Sequence, residues 1–212
     1  MKYHGMPSGM WLLFEASFRR NLQDVLHYSD EEARVLSKAA GAEYRAIIER
    51  LPEFERGDRF KTNIVSCAMF SAFLLQMHPL PAVEVLTDYY RESMMIPAMN
   101  LFCRIMGKRK FTKKDLEGMK KTAQFRAADR NPYSWNMDYL PYEDGSGYEA
   151  RFTRCGICTL MTELGLKEAI PAMCALDYTM ADAGKTSRFV REHTLALGGP
   201  YCDCGYQKAG RR

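Results

Sequence analysis

Apolar side chains in the first half of the chain recur with the period of an α-helix. Phe14, Phe18, Leu22 and Val25 fall at spacings of four and three, which predicts a helix over 10–27 with one apolar stripe. Ser29 with Glu32 has the form of a capping box, in which the hydroxyl accepts from an early helix N–H and the carboxylate reaches back to the cap. Ala33, Leu36, Ala40, Tyr44, Ile47 and Ile48 then share a face, and Pro52 stops the helix. After a polar loop over 53–61, the apolar run 64–77 reads as a buried core helix. It contains Ser66, Ser71 and Gln76 and is too short to cross a bilayer. Pro81 opens a further helix directed towards Met106, which Pro97 must kink or divide. Thr112 and Asp115 predict another cap and a short helix ending near Phe125.

The pattern changes at Asn131-Pro132. Trp135, Met137 and Tyr139 alternate with Asn136 and Asp138, which predicts a strand. A turn over 143–147 follows, and Tyr148, Ala150 and Phe152 alternate on its far side, giving a hairpin. Two short helices separated near Gly165 precede a strand over 187–195. Gly198, Gly199 and Pro200 turn the chain into a last strand over 201–206, and 210–212 is expected to be a frayed tail. The predicted fold class is α+β: a helical N-terminal half (1–130) packed against a C-terminal four-stranded antiparallel sheet with a helical insertion (131–208), within a single domain spanning 1–212.

Composition narrows the functional classes. Hydrophobic residues at 47% and charged residues at 26% suit a packed core and exclude wholesale disorder. Residues 1–3 hold a single Lys, and His4, Gly5, Pro7 and Ser8 interrupt any apolar run before Trp11, so no secretory signal and no membrane partner are expected. The seven cysteines are odd in number in a chain large enough to fold without staples, which points to reduced thiols in a cytoplasm. The net charge is +4, and the run 104–130 alone carries ten Lys or Arg against three acids. With only Phe111 and Phe125 as aromatics, that run reads as a solvated helix face, and no nucleic-acid partner is expected. A homo-oligomer is compatible with this composition.

The C-terminal third concentrates the candidate chemistry. Cys155 and Cys158 form a C-x-x-C and Cys202 and Cys204 a C-x-C, so four thiolates could hold a structural zinc if the pairs converge. Free cysteine also packs as a small hydrophobe, or serves as a nucleophile where a base and a polar setting are at hand. Strand alternation puts Cys155 on the face of Glu149, Arg151 and Thr153. It points Asp203 away from Cys202, and the Gly-rich turn before Cys202 would let a ligand approach. Asp177 shares a helical face with Ile170, Met173 and Cys174, which places a carboxylate on the core side, where it either bonds an Arg or backbone groups or serves the site. His193, beside Thr194, is the one imidazole in this half available as acid or base. No zinc-protease, nucleophile-elbow, P-loop or dinucleotide fingerprint is present.

Three stretches resemble the L-2-amino-thiazoline-4-carboxylic acid hydrolase family over roughly 150–205: Arg154-Cys155; Glu163 to Glu168 running into Cys174, Asp177 and Tyr178; and Thr194 to Gly199 leading to Cys202-Asp203. The family usually has Cys-Pro where this chain has Cys155-Gly156, and Cys-Asp-Phe where it has Cys202-Asp203-Cys204, which leaves Cys158 and Cys204 outside the pattern. The resemblance implies a hydrolase that opens a cyclic amidine bearing a carboxylate to a carbamoyl-cysteine, with a small-molecule substrate and no cofactor. It implies Cys155 or Cys202 as nucleophile, Asp177 or Asp203 as base and amidine anchor, and Arg151 or Arg154 on the substrate carboxylate. Cys174, His193 and Thr194 complete the expected substrate-binding set. The competing expectation is a non-catalytic module that binds an apolar ligand, for which 14 Met and 12% aromatics would line an adaptable pocket.

Overall fold

The computed structural model describes residues 6–126 and 130–209; the expected tail at 210–212 lies outside the described residues. The first helix, α1, spans Met6–Asp24 and ends before His27, which turns with a φ of 60°. Helix α2 (Asp30–Arg50) opens on the expected capping box. The Glu32 N–H donates to Ser29 Oγ at 3.3 Å and the Ser29 N–H donates to Glu32 Oε2 at 2.8 Å. Helix α3 (Lys61–Leu74) is buried at every position from 64 to 74, as its lack of a polar face requires. Pro97 divides the next helical stretch into α4 (Val83–Met94) and α5 (Pro97–Arg109), taking the first position of the second piece. Helix α6 (Lys113–Phe125) is capped by Thr112, whose Oγ accepts the Asp115 N–H at 3.3 Å.

The sheet is antiparallel throughout, in the order β1-β2-β4-β3. Its strands are β1 (Asp138–Pro141), β2 (Gly147–Phe152), β3 (Ser187–Val190) and β4 (Cys202–Lys208). Helices α7 (Gly156–Glu163) and α8 (Ile170–Gly184) lie between β2 and β3 as the predicted insertion. Two strands are shorter than their alternation suggests, because side chains take over the backbone donors. At 135–137 the Asn136 Oδ1 accepts the Thr153 and Arg154 N–H groups at 3.1 and 2.8 Å, and the ladder begins only at Asp138. At 192–193 the Asp203 carboxylate accepts the Glu192 and His193 N–H groups at 3.0 and 2.6 Å. His193 therefore lies in a loop and not in the third strand.

Tyr148, Ala150, Phe189, Cys202 and Cys204 form the inner, helix-facing side of the sheet, while Phe14, Phe18, Phe70 and Tyr89 centre the helical core. Phe60 packs against both cores and meets Trp135 and Phe152 at 5.3 and 5.7 Å between ring centroids. Beside it, the buried Asp58 accepts hydrogen bonds from the Phe60 N–H at 2.8 Å and from the Ser134 hydroxyl, fixing the start of the sheet part to the base of α3.

Helix α8 is the element on which the two parts meet, since it packs on α4, on α5 and on β3. Its crossing with α5 is closer than side chains permit: a Cβ on Gly107 would fall 2.3 Å from the Gly184 carbonyl oxygen. The Thr186 hydroxyl closes the same contact by donating to the Gly107 carbonyl at 2.8 Å. Gly107→Ala must push α5 off α8, and about 1–3 kcal/mol of stability should be lost in urea unfolding. Gly118 on α6 has open space around its Cα, so Gly118→Ala should raise stability by about 0.5–1 kcal/mol in the same assay.

Candidate functional site

Asp177 points inward from α8, as its spacing predicts, and its Oδ2 accepts a hydrogen bond from Arg191 Nη1 at 3.0 Å. Arg191 follows β3 directly, and its Nη2 donates to the Cys174 carbonyl one turn back along α8, at 3.0 Å. The guanidinium is thus locked by a forked contact, and its side chain keeps 7% of its surface against 43% for Asp177. The other carboxylate oxygen, Oδ1, accepts no hydrogen bond among the described residues. Burial pushes the Asp177 carboxyl above the usual carboxylate range, and the charges of Arg191 and Lys110 only partly oppose it.

The exposure of Asp177 is to a cavity of about 180 Å³ between α5, α6, α8 and the inner face of the sheet. Cavities near 150 Å³ hold a benzene-sized molecule, so this one fits a single small ring with substituents. Besides Asp177 its polar lining consists of Arg59, Lys110, Asp115, Tyr148, Ser187 and Tyr206, and the exposed Phe102 and Met106 of α5 set its rim. Lys110 follows the last turn of α5, and its ammonium stands 3.2 Å from the Tyr206 ring centroid and 5.2 Å from that of Tyr148. Burial pulls this lysine down to about 8, against the opposing charges of Asp115 and Asp177. Nothing in the basic run marked Lys110 as different from its neighbours. The sequence also concealed Tyr206 and Arg191, because only the pairing of β3 with β4 and the turn after β3 bring them to Asp177.

Behind Asp177 lies a set of thiols at the seam of the two cores. Cys174, Cys202 and Cys204 each sense the charges of Asp177 and Arg191, and Cys155 is close enough to act on Cys174 and Cys202. Four residues from the stretches that carry the resemblance, Cys155, Cys174, Asp177 and Cys202, are therefore brought together. Cys155 does not continue the alternation of β2. The strand ends at Phe152, and Cys155 turns inward as the N-cap of α7, where it packs against the helical core. Its thiol is held well above the ordinary range by its hydrogen bond to Cys158 and then by burial. Burial also raises Cys174, to about 12. Cys202 is raised by burial too, but the Leu195 N–H donates to its sulfur at 3.2 Å and the Arg191 charge favours the thiolate. Thr194 sets that contact: its hydroxyl accepts the Leu197 N–H at 3.2 Å and holds the turn that aims the Leu195 N–H at Cys202.

The other expected residues sit on the opposite, outer side of the sheet. Arg151 pairs with Glu149 at 2.6 Å and stacks 4.3 Å from the Tyr201 ring centroid, which His193 meets edge-on at 5.4 Å. Asp203, opposite Arg151 in the register, spends both oxygens on the loop N–H groups already described. Arg154 is half-buried, and its backbone N–H is taken by Asn136.

Among the described residues no group of three or more His, Cys, Asp and Glu is placed to hold a metal ion. At Gly156 a Cβ would lie 2.0 Å from the Tyr133 carbonyl oxygen, so a side chain does not fit there.

A family model described as L-2-amino-thiazoline-4-carboxylic acid hydrolase matches residues 58–206, from the base of α3 to the end of the cavity lining on β4. No curated protein and no solved structure matches the chain. With seven-tenths of its length under that match, the chain belongs to the L-2-amino-thiazoline-4-carboxylic acid hydrolase family.

Proposed function

We propose that the protein opens the ring of a small cyclic amidine that carries a carboxylate, such as L-2-amino-thiazoline-4-carboxylate, by adding water to give a carbamoyl-cysteine. The observation that carries this reading is the division of labour at Asp177, a residue lining the cavity, where one oxygen is fixed by Arg191 and the other accepts no hydrogen bond among the described residues. A carboxylate so placed can do two things for such a ring. It can accept a charge-assisted hydrogen bond from the amidinium, and it can take a proton from an attacking water. The ring carbon between sulfur and nitrogen is electrophilic once its nitrogen is protonated. Water adds there, Asp177 holds the released proton, and that proton goes to the ring nitrogen or sulfur as its bond to the carbon breaks. The raised pKa of the carboxyl suits this task, because a base whose pKa lies nearer the working pH is also a better acid for the return step.

Arg191 has a positioning role in this scheme. It orients the carboxylate and balances its charge, and the thiols behind it fill the wall without lining the cavity. Asp203 is assigned to holding the loop that carries Arg191. A second reading rests on one contact, the Leu195 N–H on the Cys202 sulfur, which would stabilise a thiolate nucleophile at that position.

Three outcomes are expected. Asp177→Asn should lower kcat by about two orders of magnitude or more on L-2-amino-thiazoline-4-carboxylate, read from the mass of the ring-opened product. In the native protein, kcat/KM should rise with pH through the Asp177 pKa, with an acidic limb above the ordinary value of about 3.9, because only the deprotonated acid is a base. Cys202→Ser and Cys155→Ser should each retain turnover of native order; a hundredfold loss in either, with an intact circular dichroism spectrum, would move the attack from water to that sulfur.

A further inference from the structure

We propose that Lys110 is the specificity-determining residue of the cavity, gripping the carboxylate of a zwitterionic substrate whose amidinium rests on Asp177. The inference deepens the hydrolase reading and rests on it for the identity of the ring.

The position of the ammonium carries the argument. Lys110 is largely enclosed, and its contacts among the described residues are the faces of Tyr206 and Tyr148. Ring faces favour a cation but do not accept its N–H groups as a carboxylate does. Neither acid in reach serves it. Asp115 accepts the Phe111 N–H at 2.8 Å and the Tyr148 hydroxyl at 3.4 Å, and Asp177 is held by Arg191. Both act on Lys110 through space and neither forms an ion pair with it. A half-buried ammonium that lies over ring faces and has no protein acceptor among the described residues gains from an anion entering the cavity.

The charges that face Lys110 come from every wall: Arg59 ahead of α3, Asp115 on α6, Asp177 on α8, and the phenols of Tyr148 on β2 and Tyr206 on β4. Two cations and two acids therefore line one small space, and each acid keeps one oxygen, Oδ1, without a hydrogen bond among the described residues. Such an arrangement suits a molecule with a cationic and an anionic end better than a simple anion or a simple cation. The aromatic floor under Lys110 makes the carboxylate end less polar than solvent, and a charge-assisted hydrogen bond counts for more there. The lowered pKa of Lys110 also limits the pH range of the grip. The amine is charged below about 8 and loses its proton as the pH rises through that value, so binding of the carboxylate weakens on the alkaline side.

The test compares L-2-amino-thiazoline-4-carboxylate with 2-amino-thiazoline, which has the same ring and no carboxylate. It uses the native chain, Lys110→Met and Lys110→Arg, each checked by circular dichroism and thermal melting. Lys110→Met should raise KM about 10- to 100-fold for the carboxylated ring and leave KM for the other within about twofold. Lys110→Arg should recover part of the loss and move the alkaline limb of kcat/KM upward, because arginine does not titrate there. Calorimetric binding of both compounds is measured in parallel, so an enzyme with no turnover on this ring, which would end the hydrolase reading, still reports on Lys110. Equal loss for both compounds, or no loss for either, overturns the proposal.

Discussion

The forked contact of Arg191 with Asp177 and the Cys174 carbonyl is the interaction on which the rest of the site depends. It joins a helix of the insertion to the turn that leaves the sheet, so it fixes the distance between the two layers as well as the aim of one carboxylate. A buried guanidinium is acceptable only with its charge balanced and its donors used, and here one acid and one carbonyl do both. The loop carrying Arg191 cannot drift, because Asp203 on β4 holds the next two N–H groups from the other side of the sheet. Cys202, between these anchors, takes the Leu195 N–H on its sulfur and completes the clamp.

The cavity in front of Asp177 lies beside the point where α5 and α8 touch at glycine. Gly107 and Gly184 let the backbones meet, and neighbouring side chains line the cavity, among them Cys103 and Met106 of α5, Lys110 just after it, and Asp177, Met180 and Ala181 of α8. The same contact delivers Lys110, three residues after Gly107, over the ring of Tyr206. Backbone packing, ion pairing and the electrostatics of the cavity thus form one arrangement, in which the acid end and the amine end are set by separate elements.

Much of the fold was legible because it follows from local patterns. The capping box at Ser29, the division at Pro97, the hairpin across 143–147 and the inward aim of Asp177 are consequences of spacing within one element. What could not be read depends on partners distant in sequence. Alternation placed Cys155 on the outer face, but α7 begins where β2 has already ended and turns that thiol into the core. Asn136 and Asp203 replaced ladder hydrogen bonds with side-chain ones, which shortened two strands and put His193 in a loop. Lys110 looked like one of ten cations on a solvated run, and only its place over the rings of Tyr206 and Tyr148 makes it different. The residues expected from the resemblance mark the back wall of the site better than its cavity, since of Cys155, Cys174, Asp177, Cys202 and Asp203 only Asp177 lines that space.

The most direct measurement is a crystal structure of the native protein with 2-amino-thiazole-4-carboxylate, an aromatic analogue that resists ring opening. The account predicts the ring between α5 and α8, its amidine nitrogens on Asp177 Oδ1 and its carboxylate on Lys110. The analogue bound instead against the sulfurs of Cys155, Cys174 and Cys202, or on the outer face beside Arg151 and His193, would contradict it.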